Sequence, residues 1–209
     1  MIKNNIRRES YLKFLNTWKN RDLIKVLSGV RRSGKSTLLA MFQQDLKEQG
    51  VQDENIIAIN FEYMEFEELT DYRKLHDYVL SKVDKNKKNY VFLDEIQHVQ
   101  NFEKVVDSLY IRDYIDLYIT GSNAFFLSGE LATLLTGRYI EQHVLPLSFQ
   151  EFKQWHTENN PTIQQLSNRD LYAMYTRSSF PYTLAMTNQQ ETYDYLQAVY
   201  ASVMFRGGS

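Results

Sequence analysis

Ile24-Lys25-Val26-Leu27-Ser28-Gly29-Val30-Arg31-Arg32-Ser33-Gly34-Lys35-Ser36-Thr37 is the stretch on which the fold turns. Leu23 to Ser28 is a mostly apolar run that stops at a glycine, as a buried strand does. From Lys35 to Gln49, Leu38, Leu39, Phe42 and Leu46 share one helical face and Gly50 follows, predicting a helix with a glycine stop. Between strand and helix, Gly29 to Ser36 fits G-x-x-x-x-G-K-[ST] at every fixed position. Small glycines let backbone N–H groups curl around phosphates, and the start of the following helix adds its dipole. The candidate nucleotide-binding residues are therefore Gly29, Val30, Arg31, Arg32, Ser33, Gly34, Lys35, Ser36 and Thr37. In this motif the lysine, Lys35, reaches the β- and γ-phosphates and the hydroxyl, Ser36, takes Mg²⁺. Arg31 and Arg32 fill variable positions, where a solvated cation and a ligand contact are equally good readings.

Downstream, a second strand fits Ile56 to Phe61, and a helical pattern runs from about Leu69 to Val83. The apolar run Tyr90-Val91-Phe92-Leu93 leads straight into Asp94-Glu95. A helix near Phe102 to Tyr110, a strand at Ile115 to Thr120 and another at Tyr139 to Val144 follow. Near-continuous apolar strands alternating with helices indicate an α/β fold with a mostly parallel sheet covered on both faces. In such sheets ligands bind at the carboxyl ends of the strands. Asp94 emerges there as a metal residue, and Glu95 as the group that takes a proton from an attacking water. Alone, two acids closing a strand are a solvated turn; after a phosphate loop they become a metal and water site. Ser122 or Asn123, at the next strand end, is placed to orient that water, although Gly-Ser-Asn is also ordinary turn chemistry.

Upstream, Tyr11, Leu15 and Trp18 share a face of a short helix in residues 1–20, which leads into a core at 21–147. After Pro146, Ser148 and Glu151 have capping-box spacing and open a tyrosine-rich helical region, 148–206, read as a small lid or the start of a second domain. The tail 207–209 is linker-like.

At 209 residues, with 43% hydrophobic residues, the chain suits one α/β domain plus a small appendage. Cysteine is absent, so disulfides and thiolate metal sites are excluded, which fits a cytoplasmic compartment. No run of 18 apolar residues occurs and no secretory leader is expected, which argues against a membrane association. Of the net charge of -2, residues 1–50 hold eleven Lys/Arg against four Asp/Glu, leaving the remainder strongly acidic. A basic segment serves phosphates of a nucleotide or of nucleic acid; the few basic residues in 151–206 argue against base stacking by its tyrosines.

The ordered set GVRRSGKST at 29–37, VFLDEIQ at 91–97, ITGSNA at 119–124, LTGRY at 135–139 and LPLSFQEF at 145–152 resembles the AAA+-like P-loop ATPase domain of a large bacterial and archaeal family. In that family the domain usually precedes a C-terminal domain of unknown function. The resemblance spans residues 7–152 and implies a P-loop NTPase three-layer sandwich with sheet order 5-1-4-3-2, ATP and Mg²⁺ as cofactors, Asp94 on the metal, Glu95 on the water and a sensor at Ser122-Asn123. Arg138 stands where related domains carry an arginine finger, often supplied to a neighbouring subunit; an ordinary surface ion pair is its other reading. Ser178-Ser179-Phe180-Pro181 departs from the family's Gly-Gly-Phe-Pro element, so a lid role for that loop does not carry over. The implied activity is Mg-dependent ATP hydrolysis coupled to movement of an attached domain, a protein partner or a second copy. The alternative is an ATP-held switch with slow turnover. No Asn-Lys-x-Asp guanine-reading motif occurs.

Overall fold

The computed structural model describes residues 6–121, 135–159, 166–186 and 188–206. They fall into two compact units, Arg7–Val144, and Leu145–Ser209 with Met1–Ile6. The first unit contains helix α1 (Glu9–Trp18), strand β1 (Ile24–Ser28), α2 (Lys35–Glu48), β2 (Ile56–Asn60), α3 (Tyr72–Lys82), β3 (Asn89–Asp94), α4 (Phe102–Tyr110), β4 (Ile115–Gly121) and β5 (Tyr139–His143). The strands pair in the order β2-β3-β4-β1-β5, every ladder parallel, which is the expected 5-1-4-3-2 sheet.

Burial explains the order. β1, β3 and β4 are buried along their whole length and occupy the middle, whereas β2 and β5 expose part of theirs at the edges. One face of the sheet packs Ile24, Val26, Val91, Leu93 and Ile119 against Leu75 and Val79 of α3 and Val105 and Leu109 of α4. The other packs Leu27, Phe92 and Tyr118 against Leu15 of α1 and Leu38, Phe42 and Leu46 of α2. Phe42 and Phe92 lie 5.3 and 4.8 Å from the Tyr118 ring. The result is the three-layer sandwich that the strand and helix patterns predict.

Two local readings change. The helix expected over Leu69 to Val83 is two pieces, a 3₁₀ segment at Met64–Thr70 and α3. Asp71 divides them because its carboxylate accepts from Arg73 N at 2.9 Å and Lys74 N at 3.0 Å, capping a new helix. Lys25 also interrupts an otherwise apolar strand. It is fully buried and paired with Asp116, whose carboxylate also accepts from the Tyr118 hydroxyl at 2.7 Å and from Asn20 N at 2.9 Å. A buried ammonium is tolerated because this network satisfies it.

The second unit is helical: α5 (Phe149–Asn159), α6 (Asn168–Tyr175), a 3₁₀ turn at Pro181–Ala185 and α7 (Gln189–Arg206). The expected capping box forms, with Ser148 N donating to Glu151 Oε2 at 2.7 Å and Glu151 N to Ser148 Oγ at 3.2 Å. Ile6, Leu147, Phe152, Trp155 and Leu184 make its core. Among the described residues no helix is long and apolar enough to cross a membrane.

His156 is buried on α5 with its ring 4.4 Å from Phe152, and burial holds its pKa below the ordinary value of 6.5. An unfolded chain therefore takes up this proton first, so stability is full above the ordinary value and falls as pH drops below it. Urea unfolding of the chain from about pH 7.5 to about pH 5.5 is expected to show this loss, and His156→Phe to reduce it. An unchanged slope in the variant would assign the pH dependence elsewhere.

Candidate functional site

The parallel topology brings the carboxyl ends of β2, β3, β4 and β1 to one edge, and the phosphate-type loop leaves β1 there. Its backbone is tightly specified. Gly29 has φ +136°, and a Cβ on it would lie 2.3 Å from the Val144 carbonyl oxygen just after β5, so only glycine fits. Gly34, at φ +98°, turns the chain into α2 in a conformation that glycine adopts without strain. Ser33 N closes the curl by donating to the Val30 carbonyl at 3.2 Å.

Lys35 begins α2 and is 3% exposed. Its ammonium donates to the Gly29 carbonyl at 3.0 Å and the Val30 carbonyl at 3.3 Å, and sits 3.5 Å from Glu95 Oε1. Burial pulls its pKa down, and the charges of Glu95 and Asp94 pull it back up. Asp94 closes β3 and pairs in register with Asn60, which closes β2. Asn60 Nδ2 donates to Asp94 Oδ2 at 2.9 Å, and the Thr120 hydroxyl on β4 donates to Oδ1. Burial raises the Asp94 pKa and the nearby Glu95 charge adds to the rise, while hydrogen bonds from Thr120 and Ser36 oppose it. Ser36, in the first turn of α2, and Asp94, at the end of β3, are two oxygen donors of the kind a hard divalent cation prefers, both at the carboxyl edge of the sheet. Among the described residues no three His, Cys, Asp or Glu side chains converge as a metal cage. A cation at Ser36 and Asp94 would complete its shell with phosphate and water oxygens, as Mg²⁺ does in such sites.

Glu95 is buried and steps off the strand at φ +56°, ψ 48°, a left-handed conformation rare for a residue with a side chain. That step turns its carboxylate towards Lys35, where an extended backbone would have sent it to the opposite face from Asp94. Its N–H donates to Thr120 Oγ1 at 2.9 Å, and Gln97 Nε2 donates to its Oε2 at 2.5 Å. Two carboxylates and one ammonium therefore lie together beside the loop.

The remaining expected site residues are distributed differently. Ser33 is fully buried, and its hydroxyl has no hydrogen-bond partner among the described residues, so this position offers backbone only. Arg31 is paired with Glu62, beyond β2, while Arg32 is exposed at φ +68°. Val30 is half-exposed and Thr37 half-buried. Ser122 and Asn123 lie outside the described residues. Arg138 is not brought to the loop: its carbonyl accepts from Ile24 N at 2.8 Å, at the start of β1, while the loop leaves the strand's other end. A five-residue strand separates the two by about 16 Å. The Arg138 guanidinium is paired with Asp107 and stands 5.9 Å over the Tyr110 ring.

Four participants escape the motif reading: Asn60, Thr120, Gln97 and Arg8. The first two have a visible signal, since each is a polar residue at or near the end of an apolar strand. Arg8, 4% exposed, reaches the loop from 25 positions away and donates from Nη1 to the Ser33 carbonyl at 3.2 Å.

A five-stranded parallel sheet with this loop after β1, a buried lysine and an Asp-Glu pair at the end of β3, one strand away across β4, defines a P-loop nucleotide-binding domain of AAA type. The sequence profile of the AAA domain family matches residues 21–153, and the chain belongs to that family. It is 40% identical to an uncharacterized protein of Haemophilus influenzae over 206 residues, covering 98% of this chain and 50% of that protein. An uncharacterized protein of Methanocaldococcus jannaschii is 38% identical over 141 residues, covering 65% of this chain and 29% of the relative. The chain thus spans half or less of the length of these relatives. Similar solved folds include a Walker-type ATPase of Pyrococcus abyssi (TM-score 0.62, 14% identity, 98% of this chain and 75% of that one). AMPPCP-bound DnaA from Aquifex aeolicus follows with TM-score 0.60 and 13% identity, over 88% and 61% of the two chains.

Proposed function

We propose that the chain binds Mg-ATP and hydrolyses its terminal phosphate, and that hydrolysis drives a movement of the rest of the protein or of a partner. The observation that carries this reading is the placement of Glu95 beside both Asp94 and Lys35 at the loop. On ATP binding, Lys35 exchanges its contact with Glu95 for the β- and γ-phosphates, while the loop N–H groups take further phosphate oxygens. Glu95, relieved of the ammonium, becomes a stronger base and accepts a proton from the attacking water as that oxygen bonds the γ-phosphorus. The bond to the β-phosphate oxygen breaks, and ADP and phosphate leave. Ser36 and Asp94 are the residues that would hold Mg²⁺, which neutralises phosphate charge when bound. ATP is preferred over GTP in this reading because the sequence lacks Asn-Lys-x-Asp. The AMPPCP carried by DnaA, a protein of similar fold, supports an adenine nucleotide. Coupling to another domain is supported by the length of the relatives, and cytoplasmic residence by the absence of cysteine.

Equilibrium binding tests the first half. The chain is expected to bind Mg-ATP in preference to Mg-GTP, and more weakly in excess EDTA; no binding of either nucleotide would refute the reading. Thr120→Val tests the metal assignment. It removes the hydroxyl that orients the Asp94 carboxylate while keeping the side chain's shape. Loss of such support typically weakens metal affinity about 10-fold to 100-fold. The Mg²⁺ concentration giving half-maximal phosphate release should rise by that factor; an unchanged midpoint would show that the Thr120 hydroxyl does not support a metal ligand.

A further inference from the structure

We infer that Arg8 is a positioning residue of the phosphate loop, a clamp that aims the Gly34 N–H at bound phosphate; this rests on the proposed nucleotide binding. Arg8 lies immediately before α1, and its own carbonyl accepts the first helical bonds from Tyr11 N at 3.1 Å and Leu12 N at 3.2 Å. Its side chain is buried, with the guanidinium 4.4 Å over the Tyr11 ring and Nη1 donating to the Ser33 carbonyl. A buried guanidinium is costly to desolvate, so its position is set by the contacts that satisfy it.

The contact falls on the peptide that matters. In a planar trans peptide the C=O and the following N–H point in opposite directions. Holding the Ser33 carbonyl against Arg8 therefore turns the Gly34 N–H away from Arg8. Gly34 is the fixed glycine ahead of the lysine, one of the N–H groups such a loop presents to phosphate. Without the clamp this peptide is free to flip, because a glycine at φ +98° tolerates the alternatives that other residues forbid. Ser33 does not fix it through its side chain, since the hydroxyl has no hydrogen-bond partner among the described residues.

A neighbouring interaction ties the same segment to α2 independently of the clamp. Arg7 grips Asp45 on α2 with Nη1 to Oδ1 at 2.9 Å and Nη2 to Oδ2 at 2.8 Å. α2 is the helix that Lys35 opens. The two consecutive arginines therefore tie the entry of α1 to both ends of one unit: Arg7 to the helix body, Arg8 to the loop that starts it.

The test compares Arg8→Ala and Arg8→Lys with Arg7→Ala, which loosens the same segment without touching Ser33. Binding of Mg-ADP and Mg-ATP is measured by calorimetry, thermal unfolding is followed without nucleotide, and the Gly34 amide is observed in glycine-labelled protein. Arg8→Ala is expected to weaken both nucleotides about 10-fold, the size of one lost charge-assisted bond, and to shift the Gly34 amide. Arg8→Lys is expected to recover part of the affinity. Arg7→Ala is expected to lower the melting temperature while leaving affinity within about 2-fold. Wild-type affinity in a folded Arg8→Ala chain, with Gly34 unmoved, would overturn the clamp and leave the proposed function standing. If Arg8→Ala does not fold, wild-type affinity in Arg8→Met, which keeps a buried stem but donates nothing to the Ser33 carbonyl, with an unmoved Gly34 amide overturns it equally. No nucleotide binding by the wild-type chain would overturn the proposed function itself, and the clamp with it.

Discussion

Glu95→Gln is expected to leave Mg-ATP bound while phosphate release falls by about 10²-fold to 10⁴-fold, the range a positioned general base contributes. The substitution keeps the side chain's length and shape, so the left-handed backbone at φ +56° and the bond from its N–H to Thr120 have no reason to change. What it removes is the ability to accept a proton from water. It also removes a negative charge 3.5 Å from Lys35 and close to Asp94. Lys35 is then more available to the phosphates, so nucleotide affinity is expected to be equal or higher. The two measurements must therefore separate: equilibrium binding retained, turnover lost. Turnover near the wild-type rate would show that the proton leaves by another route and that Glu95 only balances the lysine's charge.

Lys35→Ala is expected to lose nucleotide as well as turnover. Here a buried ammonium faces two carboxylates, Asp94 and Glu95. Removing it deletes a charge-assisted contact to the phosphates and leaves those carboxylates to repel them. Hydrogen bonds to charged groups are each worth about 1.5 to 3 kcal/mol, and two phosphates share this ammonium, so affinity should drop by at least about 10²-fold. Lys35→Met, which keeps the apolar stem, should do the same, showing that charge and not packing is responsible. Wild-type affinity in both variants would mean that the nucleotide sits elsewhere.

These two residues were legible because their signals are local. The spacing of Gly29, Gly34, Lys35 and Ser36 and the apolar run ending in Asp94-Glu95 are properties of short segments, and the alternation of strand and helix determines that both lie at one sheet edge. The groups that tune them were not legible as participants. Thr120 reaches Asp94 only because β4 lies between β3 and β1 in space, and Asn60 only because β2 pairs in register with β3. Gln97 meets Glu95 through a backbone step that no periodicity announces, and Arg8 acts across the α1–α2 layer.

Arg138 teaches the reverse. Its position before a parallel strand already fixes it at the edge opposite the loops that follow strands, and the ion pair with Asp107 is what it makes within this chain. The helix expected from about Leu69 to Val83 is present but starts at Tyr72, because Asp71 caps it while the apolar spacing runs on across that cap.

Steady-state phosphate release from Mg-ATP by the wild-type chain, run beside Lys35→Ala and Glu95→Gln, tests the central claim most directly. The predicted result is release that depends on enzyme concentration and on Mg²⁺, lost in both variants, with ATP still bound by Glu95→Gln alone. Release that persists unchanged in both variants, or a wild-type chain that binds no ATP, would contradict it.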